Sequence, residues 1–520
     1  MVLAIRNGLW NAFAQVIGAL TGIAGSVLIV HGLSPEAYGA FSYYVWLAGL
    51  IGALGTLAFP STLTKITSEL HGGQEHSEAR ALSRTVALVL FGLNLALSGG
   101  ILAWAFQTPI STRTYLLIVA AFLVPNALGA IFRSTLWGRE HYSGVSVTET
   151  VSALLQFALV VVATFAQWGA PGYVAVVLVG SIARAIGLAW TLRRPSGAPN
   201  SPRAARLPGR GTLQRYLVFC APATLALLFY IVIWERSEVF FLERLSTLEQ
   251  VGFYNLAYTT YAMFLGLGWA LVNGFYPSIS RDYGAGEWSR IRGKVRQGVI
   301  LATVYAVPLS LGGWVTLQAL IALLYGPHMQ DAAPVARILF VGLLPGVVAS
   351  VLGFTMSAVG NAWLTVRLGV VLAALNIALD LLLIPQFGAL GGAIANTGAQ
   401  VMYTVLLLFV VRRRYRIELP WRILTGIVGL GALTTLLLPS IIQLWSPGIW
   451  GSISAIVVGG ACYILGIWSL GYLRLLRMEE NNDRHAPDGQ PRAARLPLRT
   501  RLRDAAARWK DAAHPPVQSP

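Results

Sequence analysis

Long apolar runs, separated by short polar joins, recur along the whole chain. A helix that spans a bilayer needs roughly 20 mainly apolar residues, and fourteen stretches meet that template. They centre on 8–30, 40–62, 85–106, 114–137, 147–166, 172–192, 216–242, 251–276, 298–324, 338–360, 366–385, 388–411, 423–443 and 449–470. The first run is long enough to span and is interrupted by polar residues, so it reads as a retained helix and not as a secretory signal. The pattern predicts an all-α polytopic membrane protein with about 14 transmembrane helices.

Part of the pattern occurs twice. Leu33-Ser34-Pro35-Glu36-Ala37-Tyr38-Gly39-Ala40-Phe41 sits between the first two runs, and Leu245-Ser246-Thr247-Leu248-Glu249-Gln250-Val251-Gly252-Phe253 sits between the seventh and eighth, with Gly39 and Gly252 213 residues apart. Phe59-Pro60-Ser61 closes the second run and Tyr276-Pro277-Ser278 the eighth. Gln167 to Gly172 parallels Gln386 to Gly391 at an offset of 219, and Arg193-Arg194 parallels Arg412-Arg413 at the same offset. Ordered matches at nearly constant offset mark an internal repeat. Six runs per half is an even number, so both halves enter the membrane from one side, as parallel repeats with the natural site between them. The expected organisation is a six-helix lobe at 1–192, a linker at 193–215, a second six-helix lobe at 216–411, extra transmembrane helices at 412–472 and a basic tail at 473–520.

Charge supports the membrane reading and orients it. The chain is 56% hydrophobic and only 11% charged, against about 25% charged in soluble domains. Its net charge of +17 lies between apolar runs and in the tail, where anionic lipid headgroups are the expected neighbours and nucleic acid is not. Alternate loops are basic: Lys65, Arg80 and Arg84; Arg133 and Arg139; Arg193 to Arg215; Arg281 to Arg296; Arg367; Arg412 to Arg422. The others hold only Arg113, Arg244 and Arg337. The positive-inside rule then places both termini in the cytoplasm. In the tail, Leu498, Leu502, Ala505 and Trp509 share one helical face among arginines, which fits a surface-lying amphipathic helix or a basic disordered segment.

Several polar residues interrupt apolar runs. Asn7, Asn11 and Gln15, followed by Gly18, Gly22 and Ser26, fall on one helical face. Such a stripe faces a water-filled cavity or packs closely on another helix. Glu235 and Arg236 follow Arg215 by about 20 residues, near the outer end of the seventh run at 1.5 Å per residue. Arg236 there either meets an anionic headgroup, with Glu235 pairing or taking a proton, or forms an interfacial ion pair with Glu238 or Glu243. Arg184 either lines the cavity or snorkels toward the cytoplasm. Asn255 completes the cavity candidates. Asp380 shares a helical face with Asn376 and is the candidate for ion coupling, with a structural polar contact as the alternative. Lys65 and Arg133 fit positive-inside anchoring, or capture of a phosphate-bearing lipid from the inner leaflet.

No Gly-x-x-x-x-Gly-Lys-Ser/Thr loop for ATP occurs. No cofactor is implied. Cys220 and Cys462 sit in apolar runs and suggest neither a disulfide nor a metal site. The short outer loops carry no cluster of His, Asp or Glu of the kind a membrane glycosyltransferase or polymerase needs.

The segments Asn11…Gln15, Leu33 to Gly39, Glu235-Arg236 with Val251 to Ala257, and Ile384-Pro385-Gln386-Phe387-Gly388 with Gly391 to Ala395 together resemble bacterial polysaccharide-unit flippases. That family belongs to the multidrug/oligosaccharidyl-lipid/polysaccharide exporters. The resemblance covers about residues 1–411. Where such proteins often have Asp before the Arg, this chain has Glu235. The resemblance implies a V-shaped bundle of two lobes. It also implies export of a polyprenyl-pyrophosphate-linked oligosaccharide across the bacterial cytoplasmic membrane. Alternating access is the expected motion of the paired lobes, and without an ATP loop a gradient of H+ or Na+ is the expected drive. A multidrug–cation antiporter, a lipid II flippase and a membrane enzyme are the competing expectations.

Overall fold

The computed structural model describes residues 2–139, 141–193, 207–234, 237–445 and 449–471, and every regular element among them is helical. The first half contains α1 (Val2–His31), α2 (Pro35–Thr56), α3 (Phe59–Gly72), α4 (His76–Ala105), α5 (Ile110–Gly138), α6 (Tyr142–Phe165) and α7 (Gly169–Arg193). The second half contains α8 (Arg210–Trp234), α9 (Ser237–Leu245), α10 (Leu248–Asn273), α11 (Phe275–Gly284), α12 (Trp288–Tyr325), α13 (Ala332–Val341), α14 (Leu343–Ala358), α15 (Ala362–Phe387) and α16 (Ala389–Tyr415). Then come α17 (Trp421–Trp445) and α18 (Ile449–Ser469). Most of the expected linker, and the tail with its Leu498–Trp509 face, lie outside the described residues.

Twelve stretches among the described residues are long and apolar enough to cross a membrane. The 216–242 run forms α8, of 25 residues, followed by the short α9, and the last run forms α18, of 21 residues. Three other runs also divide internally. The second splits into α2 and α3, where Leu57 takes φ 48° and Pro60 enters the first turn of α3. Proline lacks the N–H that would continue the α2 ladder, and its fixed φ suits a helix start. The break frees the carbonyl of Gly55, and Asn94 of α4 donates to it at 2.9 Å. In the second half, Pro277 stands in the first turn of α11, just after the α10 break at Gly274. The run at 338–360 divides at Gly342, between α13 and α14. Elsewhere hydroxyls inside apolar helices bond back to the preceding turn, as Thr303 does to the Val299 carbonyl at 2.7 Å, because no water is available there.

The duplicated segments meet each other. Ser34 caps α2 by accepting from the Ala37 amide, and Thr247 caps α10 by accepting from the Gln250 amide, each at 3.3 Å. From these matched starts α2 and α10 cross at Gly39 and Gly252. A Cβ on Gly39 would collide with the Leu248 carbonyl oxygen, and one on Gly252 would stand 2.8 Å from that of Pro35. One turn along, Asn255 Nδ2 donates to Ser42 Oγ at 2.9 Å; these two are also 213 residues apart. The crossing lies at the arginine-poor end of the helices. Nearby the tips of α1 and α12 meet, with His328 Nε2 3.2 Å from the Val30 carbonyl oxygen. At the opposite, basic end, Tyr216 of α8 donates to the Phe59 carbonyl of α3 at 2.9 Å.

Gly39→Ala should force α2 and α10 apart. Overpacking of this kind costs about 1–3 kcal/mol. The expected result is a lower thermal midpoint and faster maleimide labelling of a cysteine placed at Ser42. An unchanged midpoint with slow labelling would show that the crossing does not need the glycine.

Candidate functional site

A cavity of about 800 Å³ is enclosed by α1, α2, α5, α6 and α7, with Asn255 and Thr259 of α10 at its edge. It begins beneath the α2–α10 crossing and extends to the basic ends of α5 and α6. Polar side chains line it at every level: Gln15, Thr21 and Ser26 from α1, Ser42 from α2 and Gln156 from α6. Tyr38, Trp46, Trp137 and Phe157 add aromatic faces.

Its charges are concentrated toward the basic end. Glu149 of α6 stands between two arginines, 3.5 Å from Arg133 Nη1 of α5 and 3.2 Å from Arg184 Nε of α7. The Arg133 guanidinium also lies over the Trp137 ring, 5.3 Å from its centroid. Glu149 Oε1 and Arg184 Nε make no hydrogen bond despite the close approach. The carboxylate therefore holds the guanidiniums by charge and leaves donor directions free for a ligand. Two cations and one anion leave this wall positive.

Of the residues singled out from sequence, Gln15, Arg184 and Asn255 line this cavity together. Arg133 joins them, so its place is the cavity wall as well as a helix end. Asn7 and Asn11 lie on the first turns of α1, with side chains outside the described set, and Glu235 and Arg236 fall in the undescribed join between α8 and α9. Sequence reasoning passed over Glu149. The available signal was an acid inside an apolar run, where an ionisable group needs a partner.

Asp380 belongs to a separate cluster in the second half. It is fully buried in α15, and Glu238 of α9 is 1% exposed. Glu238 was one of two alternative partners for Arg236, which lies outside the described residues; its Oε1 accepts from Asn376 Nδ2 at 3.1 Å and from Asn396 Nδ2 at 2.9 Å. Asn376 Nδ2 also reaches Asp380 Oδ2 at 3.3 Å, so the two carboxyls share one amide. Gln400 donates to Asn396 Oδ1 and Tyr261 donates to Gln400 Oε1, both at 2.7 Å. Glu238 Oε2, Asp380 Oδ1 and Asn376 Oδ1 are buried without a hydrogen bond. Among the described residues no Lys, Arg or His pairs with either acid. Two carboxyls buried this close repel each other unless positive charge stands between them.

A second cavity, about 920 Å³ and apolar, runs between α1, α10, α12, α17 and α18 past Leu320, Leu324, Leu438, Ile456 and Ile464. Gly22, Ser26 and Thr259 line both it and the polar cavity, so the two volumes adjoin across one face of α1.

The profile of a family described as polysaccharide biosynthesis protein matches residues 4–282, and the MatE profile matches 216–382. "Probable flippase AglR" of Haloferax volcanii is 30% identical over 159 residues, which is 30% of this chain and 33% of that protein. The match to a second flippase of that organism covers 34% of its length, so the chain spans about a third of these two relatives. "Putative O-antigen transporter" of Shigella flexneri is 19% identical over 421 residues, 79% of this chain and 98% of that one. Among solved structures, lipid II flippase MurJ in an inward closed conformation superposes with TM-score 0.66 at 16% identity, covering 91% of this chain and 100% of that one. An inward-facing MATE multidrug transporter of the MOP superfamily gives TM-score 0.66 at 13% identity, covering 77% and 94%. These likenesses show the fold.

The buried cluster predicts opposite outcomes for its two acids. Glu238→Ala strands the amide donor of Asn396, at about 1–3 kcal/mol, and should lower the thermal midpoint, while Asn376 keeps Asp380 and Ser237 as acceptors. Asp380→Asn removes one of the two facing carboxyls and should leave the midpoint equal or higher. Thermal unfolding of both purified variants checks the sign.

Proposed function

We propose, from the premise that this chain belongs to the polysaccharide biosynthesis protein family, that it flips a polyprenyl-pyrophosphate-linked oligosaccharide across the bacterial cytoplasmic membrane. The observation that carries this reading is the contact between an arginine-bearing polar cavity and an apolar groove. A sugar chain and a pyrophosphate do not cross about 30 Å of hydrocarbon unaided, whereas a prenyl tail is at home there. Arg133 and Arg184 supply charge-assisted donors for the pyrophosphate, with guanidiniums suited to bidentate phosphate contact. The amides, hydroxyls and aromatic faces of the same cavity suit sugar rings, whose edges are polar and faces apolar. The groove between α1, α12, α17 and α18 takes the tail.

Movement follows from the repeat. The lobes 1–192 and 216–411 rock about the α2–α10 crossing, which closes the arginine-poor side in the conformation described here. With the basic loops and both termini in the cytoplasm, this conformation receives substrate from the inner leaflet. The Glu238–Asp380 cluster couples the rocking to H+ or Na+: a cation that neutralises the two carboxyls favours the packed arrangement, and its release loosens α9 and α15. The positive cavity wall disfavours export of amphiphilic cations, although the MATE fold is shared. The relatives are named as flippases and transporters, in keeping with a substrate that leaves covalently unchanged.

In a strain lacking the protein, lipid-linked oligosaccharide should accumulate on the cytoplasmic leaflet; no accumulation would sink the reading. Replacing Arg133 or Arg184 with Ala should slow flipping roughly ten- to hundredfold, the worth of a charge-assisted hydrogen bond, while membrane insertion is unchanged. Asp380→Asn should flatten the dependence of flipping on Na+ or on a proton gradient in reconstituted vesicles. A dependence equal to that of the parent protein would remove Asp380 from coupling.

A further inference from the structure

At the basic end, α3 of the first half and α8 of the second enclose a pocket of about 450 Å³ that is separate from both larger cavities. Two charged levels line it. At the outer level Arg215 Nη2 donates to Glu69 Oε2 at 2.8 Å. One helical turn deeper, about 6 Å, the Lys65 ammonium stands 3.6 Å above the Phe219 ring centroid. Glu69 is engaged by Arg215, and among the described residues no carboxylate lies within ion-pair distance of Lys65. Between the two levels and at the deeper one, α8 turns Leu217 (50% exposed), Val218 (68%) and Phe219 (40%) outward. Behind the pocket, Tyr216 and Cys220 of α8 are buried in the same core as Leu63 and Ile66 of α3, so the walls are fixed by packing.

We propose that this pocket holds the headgroup phosphate of an anionic phospholipid from the leaflet at the basic end, with its acyl chains along Val218 and Phe219. An ammonium one turn below an ion pair and beside lipid-facing apolar side chains sits at the depth of a phospholipid phosphate and has a charge to neutralise. Lys65 and Arg215 against Glu69 leave one positive charge. The single negative charge of a phosphodiester balances it, whereas a pyrophosphate brings more than one. The bound lipid bridges the halves where Tyr216 already ties α8 to the Phe59 carbonyl, and so braces the basic end of α8 against the first half.

The test is native mass spectrometry of the full chain titrated with phosphatidylglycerol, phosphatidylcholine or polyprenyl pyrophosphate. The parent protein should retain phosphatidylglycerol in preference to phosphatidylcholine. Lys65→Ala should weaken that binding about fivefold, the worth of one lysine at an anionic surface. Lys65→Arg should restore it, and Arg84→Ala, a basic residue at the same end but outside the pocket, should leave it unchanged. An unchanged affinity in a folded Lys65→Ala protein would overturn the proposal. So would polyprenyl pyrophosphate displacing phosphatidylglycerol from the parent but not from Lys65→Ala, which would give the pocket to the transported headgroup. Binding is read without transport, so either result leaves the flippase reading standing.

Discussion

An ionised group inside a bilayer must be neutralised by something within a few ångströms, because no water is there to do it. That requirement organises this structure more than any packing preference. Glu149 is tolerable in α6 because Arg133 and Arg184 approach it from α5 and α7. The three helices are thereby held around the polar cavity. The wall keeps surplus positive charge, and on the proposed reading the substrate's pyrophosphate completes the neutralisation. The cavity is then charged because it is waiting for an anion.

The buried acids of the second half pose the converse problem. Glu238 is surrounded by amide donors and Asp380 shares one of them. Hydrogen bonds ease the burial of one carboxylate but not of two. On the proposed reading a cation from outside the protein neutralises the pair, and a site built on α9 and α15 whose occupancy follows that cation couples its gradient to transport. The polar cavity needs no such variability. That is the reason to assign substrate and ion to different halves.

Gly39 and Gly252 show how a repeat becomes a close crossing of its two copies. Matched N-caps start α2 and α10 in the same way, and matched glycines let the two backbones touch. Ser42 and Asn255 then bond across the junction. Among the described residues the junction holds a close backbone approach and the Asn255–Ser42 hydrogen bond, with no ion pair. On the proposed reading, such a gate carries little electrostatic energy to overcome when it opens.

Much of this was legible along the chain. Runs of about 20 apolar residues dictate helices that satisfy their own backbone, and the nearly constant offsets of Ser34, Gly39 and Pro60 to their counterparts reveal the duplication. Polar residues within apolar runs singled out Gln15, Arg184 and Asn255, which line one cavity, since such residues avoid lipid wherever they stand. Which residue neutralises which was not legible. Arg133, Glu149 and Arg184 come from three helices, and Asn376 and Glu238 are 138 residues apart. Hydropathy along a chain reports only how each helix meets lipid. It carries no record of the rotation that turns one face toward another helix, and that rotation, set by tertiary packing, decided that Glu238 faces Asn376 and Asn396 within the bundle and that Glu149 lies between arginines.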